Sequence, residues 1–416
     1  MSKTVIIIGG GVVGLCTAYY LQKEGCNVTV IDKSTMDAGA SYVNAGYLTP
    51  SHIIPMAAPG MISTGLRYMF NSSSPFYMKP RLDLDFLKWA WNFKKSSTHK
   101  KVAKAIPVIK EINVLSRELF MDIKKSGDLG IFHLERKGLL MLYQTNKMHD
   151  HEMEVAEKAK FLGLEVKELG QPELSKIEPD IAINAKGAIH YECDAHSTPS
   201  EFMARMKDYL ITSGVKILKE QEVLDIDLNR GKQCQVKTTK ATYFSDEVVL
   251  AAGSWSGNFG KKLKLNLSLQ AGKGYRINVE EKTRIKMPAI LMEAKMAVTP
   301  MKGYTRFAGT MEFTGINHEI RKERIEAIAK GAENYYEGLK ISQDDKNAAQ
   351  CGLRPVTPDG LPYIGKSKKY NNLTIATGHA MMGWSLGPIT GKLVSELVCN
   401  NQMSMDISSF NPERKF

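Results

Sequence analysis

The stretch Thr4-Val5-Ile6-Ile7-Ile8-Gly9-Gly10-Gly11-Val12-Val13-Gly14 decides how this chain folds. Five successive β-branched residues predict a strand buried on both faces, as in a parallel sheet. Gly9, Gly11 and Gly14 follow in Gly-x-Gly-x-x-Gly spacing. In that pattern the first glycine makes a tight turn, the second lets the backbone approach a pyrophosphate, and the third lets a helix pack close to the strand. Leu15, Ala18, Tyr19 and Leu21 predict a helix over 13–24, and Gly25 stands where a C′ glycine ends one. Val28-Thr29-Val30-Ile31 predicts a second strand, closed by Asp32. Asp32 lies 18 residues past Gly14, about where a carboxylate meets a ribose diol. The helix N-terminus adds free N–H groups and partial positive charge for a phosphate. This is one βαβ dinucleotide unit. Nicotinamide and flavin dinucleotides share its logic, so the unit alone leaves that choice open.

The rest of the chain sets the frame. Its 416 residues suggest two or three domains, or one large composite. Hydrophobic residues are 43% and charged residues 24%, which excludes a mainly disordered chain. No apolar run reaches the roughly 18 residues of a spanning helix. The run after Lys3 breaks at Gly9, too short for a signal peptide. The net charge of +12 allows an anionic membrane or nucleic-acid partner without requiring one. Six scattered cysteines without a CxxC pair point away from a disulfide framework and toward a reducing cytoplasm.

Residues 34–80 read as an ordered loop region and 84–126 as helical. Strands are predicted at 138–143, 215–218, 223–226, 246–253 and 373–377. Helices are predicted at 149–162, 199–212, 318–337 and 384–398, and 270–313 alternates like an antiparallel sheet. The expected class is α/β plus α+β. A Rossmann-like dinucleotide-binding domain is assembled from 1–55, 145–265 and 350–416. A second, substrate domain on a mostly antiparallel sheet takes 56–144 and 266–349.

Three stretches carry a resemblance to a known family. The first is the opening unit with Ser41-Tyr42-Val43-Asn44-Ala45-Gly46, then Pro50 and Ala57-Ala58-Pro59-Gly60. The second is Leu250-Ala251-Ala252-Gly253-Ser254-Trp255-Ser256. The third runs from Gly352 through Arg354-Pro355 to Pro362, then Ile364-Gly365, Thr377-Gly378-His379 and Gly383-Trp384. Together they resemble the D-amino acid oxidase superfamily of FAD-dependent oxidoreductases, and within it the bacterial D-amino acid dehydrogenases. The resemblance covers about residues 4–398. It implies FAD, and hydride transfer from a substrate α-carbon to flavin N5, giving an imino acid. The substrate is then a D-amino acid or a cyclic secondary amino acid of the D-proline or hydroxy-D-proline type. Electrons pass to a quinone or other acceptor; the alternative is an oxygen-using oxidase of the glycine/sarcosine type. The cofactor set so implied is Gly9, Gly11, Val12, Val13, Gly14, Asp32, Lys33, Ala40, Ser41, Asn44, Ala45, Gly46, Leu48, Val223, Ala252, Gly253, Trp255, Gly352, Arg354, Gly378, His379, Met382, Gly383, Trp384 and Ser385.

The residues have their own chemistry beside this. Arg354 precedes Pro355, so its backbone is biased to be extended. A guanidinium can grip a carboxylate through two parallel hydrogen bonds, and the resemblance places a substrate-carboxylate arginine there. Tyr275 and His52 complete the catalytic candidates: Tyr275 to cover the substrate or bond its carboxylate, His52 at the pocket mouth. Tyr304 and Arg306 are weaker candidates of the same kind. Residues 378–385 join a strand to a helix whose dipole would favour negative charge on a reduced flavin. Met381 and Met382 stand where some relatives carry a second arginine, so a two-arginine clamp is not expected. Arg354 also stands near where related flavoproteins have a cysteine linked to FAD, with Cys351 three residues earlier, so noncovalent FAD is expected. His190, Cys193, Asp194 and His196 match no common zinc spacing, so no metal is expected.

Residues 88–110 hold seven lysines and no acid, beside Trp89, Trp91 and Phe93. That suits a peripheral contact with an anionic membrane at the inner face of the cell membrane. No RNA-binding motif accompanies the charge, so no nucleic-acid partner is expected.

Overall fold

Thr4–Ile8 forms a strand with its last four residues buried, as the β-branched run demands. The helix Val12–Lys23 follows it. A Cβ at Gly14 would lie 1.9 Å from the Gly9 carbonyl oxygen, which is why this position has no side chain. The computed structural model describes residues 2–60, 76–79, 83–228 and 233–416. The expected loop at 34–80 therefore lies partly outside the described residues, at 61–75 and 80.

Thr4–Ile8 sits inside a six-stranded sheet. The order is Lys216–Leu218, Asn27–Ile31, Thr4–Ile8, Glu247–Leu250, Leu373–Thr377, Tyr363–Lys366. The first five run parallel and the last antiparallel. The helix Gly387–Cys399 crosses Val12–Lys23 so closely that a Cβ at Gly391 would meet the Cys16 backbone at 2.5 Å. Ile109, Ile112 and Phe120 of the helix His99–Ser126 close the same core.

The second sheet has nine strands. Its path is Gln350–Val356, Gln270–Val279, Tyr304–Phe313, Met296–Met301, Ala289–Leu291, Leu139–Tyr143, Gly187–Tyr191, Val166–Gly170, with Phe76–Met78 added beside Tyr304–Phe313. Most pairings are antiparallel; Ala289–Leu291 with Leu139–Tyr143 and Tyr304–Phe313 with Phe76–Met78 are parallel. The helix Lys322–Tyr335 packs its apolar face on this sheet.

The expected domain boundaries need correcting. Strands Val166–Gly170 and Gly187–Tyr191 belong to the nine-stranded sheet, not to the dinucleotide side. The helix His99–Ser126 sets Ile109, Ile112 and Phe120 in the dinucleotide core and turns Ile106 and Val114 toward the cluster of Tyr143 and Tyr191 on the second sheet, so it does not belong to the second domain alone. Strand pairing and helix burial between distant segments decide this, and neither is written in local periodicity. Smaller differences are local. The helical region 84–126 is two helices, Leu84–Ser96 and His99–Ser126, the second capped by the Thr98 side chain on Lys101 N–H. The strand expected over 246–253 ends at Leu250, and the last long helix begins at Gly387, not 384.

Candidate active site

A cavity of about 1570 Å³ opens at the carboxyl ends of the parallel strands, where ligands of open α/β sheets bind. Its walls come from both sheets: Ile8–Val13 and Ala251–Trp255 on one side, Ala308–Met311 and Gln350–Pro355 on the other.

The glycine end is pre-ordered. Asp32 accepts from Gly10 N–H at 2.7 Å through Oδ2, and from Ser34 N–H at 2.8 Å through Oδ1. Ser41 Oγ accepts from Val12 N–H at 3.0 Å. A Cβ on Gly11 would face nothing nearer than Ser41 Oγ at 3.3 Å, so the backbone here is open to the cavity. Lys33 Nζ lies 3.8 Å over the Trp255 ring, and His318 stacks on that ring at 6.2 Å. A Cβ at Gly352 would strike Val43 Cγ2 at 2.3 Å, so only glycine lets this edge strand pass the 39–43 loop. An open glycine turn, a helix N-terminus and a carboxylate at the second strand end together fit a dinucleotide.

The loop carrying Asn44, Ala45 and Gly46 is held from the second sheet. Arg306, 2% exposed, donates through Nη1 to the carbonyls of Tyr42 at 2.8 Å and Asn44 at 2.6 Å. Thr299 Oγ1 donates to the Ala45 carbonyl at 2.7 Å. Arg306 and Tyr304 do not border the cavity. Their candidacy as pocket residues is thus corrected: Arg306 is a positioning residue, with the Tyr304 hydroxyl accepting from its Nη2 at 3.2 Å.

Most of the predicted cofactor set borders the cavity, and four members do not: Gly14, Gly46, Leu48 and Gly378. Each of the four is core or backbone packing. Leu48 is fully buried. Gly46 and Gly378 take φ of +79° and +80°, where a Cβ would also strike Ser197 O at 2.2 Å and Thr357 Cγ2 at 2.5 Å.

At the other end stands Arg354. Its Nη1 donates to the Thr310 carbonyl at 2.9 Å, and among the described residues no carboxylate pairs with it. Burial pushes its pKa down to about 10, so it stays charged at neutral pH. The guanidinium lies over Gly274, where a Cβ would come within 2.1 Å of Nη1. Thr310 has φ of +72°, a costly conformation for a β-branched residue. Sequence reasoning missed Thr310 and the need for glycine at 274. No local signal marks a strained threonine, and Gly274 read as an ordinary strand residue.

Tyr275 needs a correction. It borders the cavity, but its hydroxyl donates to Glu312 Oε2 at 2.9 Å. Its ring belongs to the core under Lys322–Tyr335. Alternation along the strand sends Gly274 toward Arg354 and Tyr275 the other way. It is not placed to bond a substrate carboxylate. His52 does border the cavity. Burial pushes its pKa down to about 4, so it is neutral. His379 is also neutral, with burial lowering its pKa to about 3, and its Nε2 lies 2.9 Å from Thr390 Oγ1. Trp384 Nε1 donates to Ser197 Oγ at 3.0 Å, and Ser385 Oγ to Asn113 Oδ1 at 2.9 Å, fixing the segment between the Leu373–Thr377 strand and the last long helix.

Similarity to known proteins runs the length of the chain. It is 29% identical over 416 residues to a D-amino acid dehydrogenase of Helicobacter pylori, covering 99% of each chain. The fold matches a glycine oxidase from Geobacillus kaustophilus at a TM-score of 0.78, with 22% identity and 100% of both chains covered. It also matches an L-proline dehydrogenase from P. horikoshii at 0.74, with 19% identity, covering 99% of this chain and 97% of that one. Residues 4–397 match the DAO family, described as FAD dependent oxidoreductase. With its glycine turn, its Asp32 strand end and a family match over nearly its whole length, the chain belongs to the DAO family of FAD dependent oxidoreductases.

Proposed function

We propose that this enzyme oxidises a D-amino acid, or a cyclic secondary amino acid of the D-proline type, to the imino acid. The observation that carries the reading is Arg354: a charged guanidinium on the cavity wall, bonded to one backbone carbonyl and to no carboxylate among the described residues. Such a group takes a substrate carboxylate through paired hydrogen bonds. When bound, FAD supplies the acceptor for the hydride that leaves the substrate α-carbon. The chain supplies orientation. Arg354 fixes the carboxylate, and Thr310 and Gly274 fix Arg354. His52 and His379 are neutral and add no charge to the site. The dehydrogenase name of the Helicobacter pylori relative supports an acceptor other than oxygen. Noncovalent FAD is supported by Cys351, whose Sγ sits 3.5 Å from the His318 carbonyl and whose pKa burial raises, leaving a protonated thiol.

Anaerobic mixing with D- and L-amino acids, proline isomers, glycine and sarcosine tests this. The flavin band near 450 nm is expected to bleach with D-isomers or cyclic imino acids and not with L-isomers. Colour returning with a quinone analogue but not with oxygen marks a dehydrogenase; the reverse marks the oxidase alternative. FAD-loaded protein that no amino acid bleaches would sink the substrate class.

A peripheral membrane contact has its own support. Among the described residues no helix is long and apolar enough to cross a membrane. Trp89 is core, donating from Nε1 to the Val356 carbonyl at 2.9 Å. Leu84, Leu87 and Trp91 on the same helix are exposed, at 83%, 48% and 56%, beside Lys94 and Lys95. Exposed apolar groups with lysines suit an anionic lipid surface. Sedimentation with phosphatidylserine vesicles is expected to capture the protein and to weaken in Trp91→Glu; equal capture by neutral vesicles would refute the electrostatic part.

A further inference from the structure

A second cluster of chemistry lies outside the cavity. The Leu134–Glu135 strand pairs antiparallel with Ala195–Ser197, which sets Glu135 directly opposite His196. His133 lies two residues before Glu135, so strand alternation puts it on the same face. Two imidazoles and one carboxylate thus converge, each with one ligating atom within 4.8 Å of the others. Glu135 Oε2 is 3.6 Å from His133 Nε2 and 3.6 Å from His196 Nε2. A tetrahedral ion with bonds of about 2.0–2.1 Å needs ligand atoms roughly 3.3–3.4 Å apart, so Glu135 is nearly in place for each histidine, and the two imidazoles, within 4.8 Å, close by at most about 1.5 Å.

His196 adds an independent observation. It is 0% exposed, and neither ring nitrogen has a well-formed hydrogen bond among the described residues. Buried polar groups left unpaired are rare and call for an explanation. His133 is already oriented as ligands are: its Nδ1 lies 2.8 Å from Thr198 Oγ1, leaving Nε2 for the cluster. Lys137 Nζ, 2.7 Å from Glu135 Oε2, competes for the carboxylate. None of the three residues borders the large cavity.

We propose that His133, Glu135 and His196 form a binding site for a divalent transition-metal ion of the zinc class. Imidazole ligands favour such ions over magnesium or calcium, which prefer all-oxygen shells. Glu135 is 38% exposed, so a fourth position is open to water. The ion would clamp two strands that are 61 residues apart in sequence at the Glu135–His196 pair.

The test uses tag-free, chelator-treated, FAD-loaded protein titrated with zinc by calorimetry, with magnesium in parallel. One zinc per chain and no magnesium is expected. Cobalt substituted for zinc is expected to give visible absorption bands of a low-coordinate site. Glu135→Gln and His133→Ala should each weaken zinc binding by about tenfold or more, with FAD content unchanged as the sign of intact fold. Glu135 is half-exposed, so its variant keeps the test alive if the histidine change disturbs folding. Absence of stoichiometric zinc uptake overturns the proposal. So does uptake unchanged in both variants but lost in Cys26→Ser, whose Sγ lies 3.7 Å from Cys399 Sγ.

Discussion

Arg354→Ala is expected to lower kcat/KM for the amino acid substrate by roughly 10²–10⁴, with FAD retained. The magnitude follows from losing two charge-assisted hydrogen bonds at about 1.5–3 kcal/mol each, where each 1.36 kcal/mol is about tenfold. FAD should stay because, among the described residues, the oxygen acceptor bonded to Arg354 is the Thr310 carbonyl, and no bond from Arg354 holds the glycine turn. Arg354→Lys keeps the charge but not the planar fork, so an intermediate loss of about 10- to 100-fold is expected. Gly274→Ala tests the same idea from beneath. Its methyl would fall within 2.3 Å of the guanidinium carbon. The end of a flexible side chain can move aside, so the fold survives and the arginine is displaced. The rate of anaerobic flavin reduction against substrate concentration reads all three. Wild-type behaviour in Arg354→Ala would remove the basis for the substrate reading.

The second large effect belongs to the glycine turn. Gly11→Val is expected to yield folded protein with less than about a tenth of the wild-type FAD content. Gly11 has φ of −72°, which any residue adopts, and its Cβ direction meets only Ser41 Oγ at 3.3 Å. The added side chain therefore costs the apoprotein little and fills the approach to the helix N-terminus. Loss of the cofactor also removes its linkage stabilisation, about 4 kcal/mol at a thousandfold excess over Kd, read as a lower Tm that added FAD does not restore. Gly14→Val is the contrast: its Cβ would overlap the Gly9 carbonyl oxygen, so the fold itself should fail. Equal FAD content in Gly11→Val and wild type would refute the assignment of this turn to the pyrophosphate.

The sequence carried far on the segments where neighbours in the chain are neighbours in space. The turn from Gly9 to Gly14, the Asp32 strand end and the Arg354-Pro355 stretch of the edge strand lie on the cavity wall, except Gly14, which packs the helix behind it. Such motifs are legible because a tight turn, a helix N-terminus and an X-Pro extension each depend on a few adjacent residues. Arg306 was harder. As a polar residue in a strand it read as a pocket candidate, but two carbonyls some 260 residues earlier claim its guanidinium. Tyr275 failed for a related reason: strand alternation was visible, but which face met the cavity was not.

By itself, the sequence determined the dinucleotide unit, the family and the arginine proposed to hold the substrate carboxylate, because each is written in short, stereochemically constrained motifs. Tertiary structure alone decided which sheet takes residues 166–191, where the helix His99–Ser126 packs, and which side chains stand opposite each other across strands. His133, Glu135 and His196 show the difference. Nothing in their spacing announces a cluster, and only the antiparallel register of two short strands brings them to one face. The physical reason is that burial and strand pairing act between distant segments, so the partner of a side chain is chosen by the packed core and not by its neighbours in the chain.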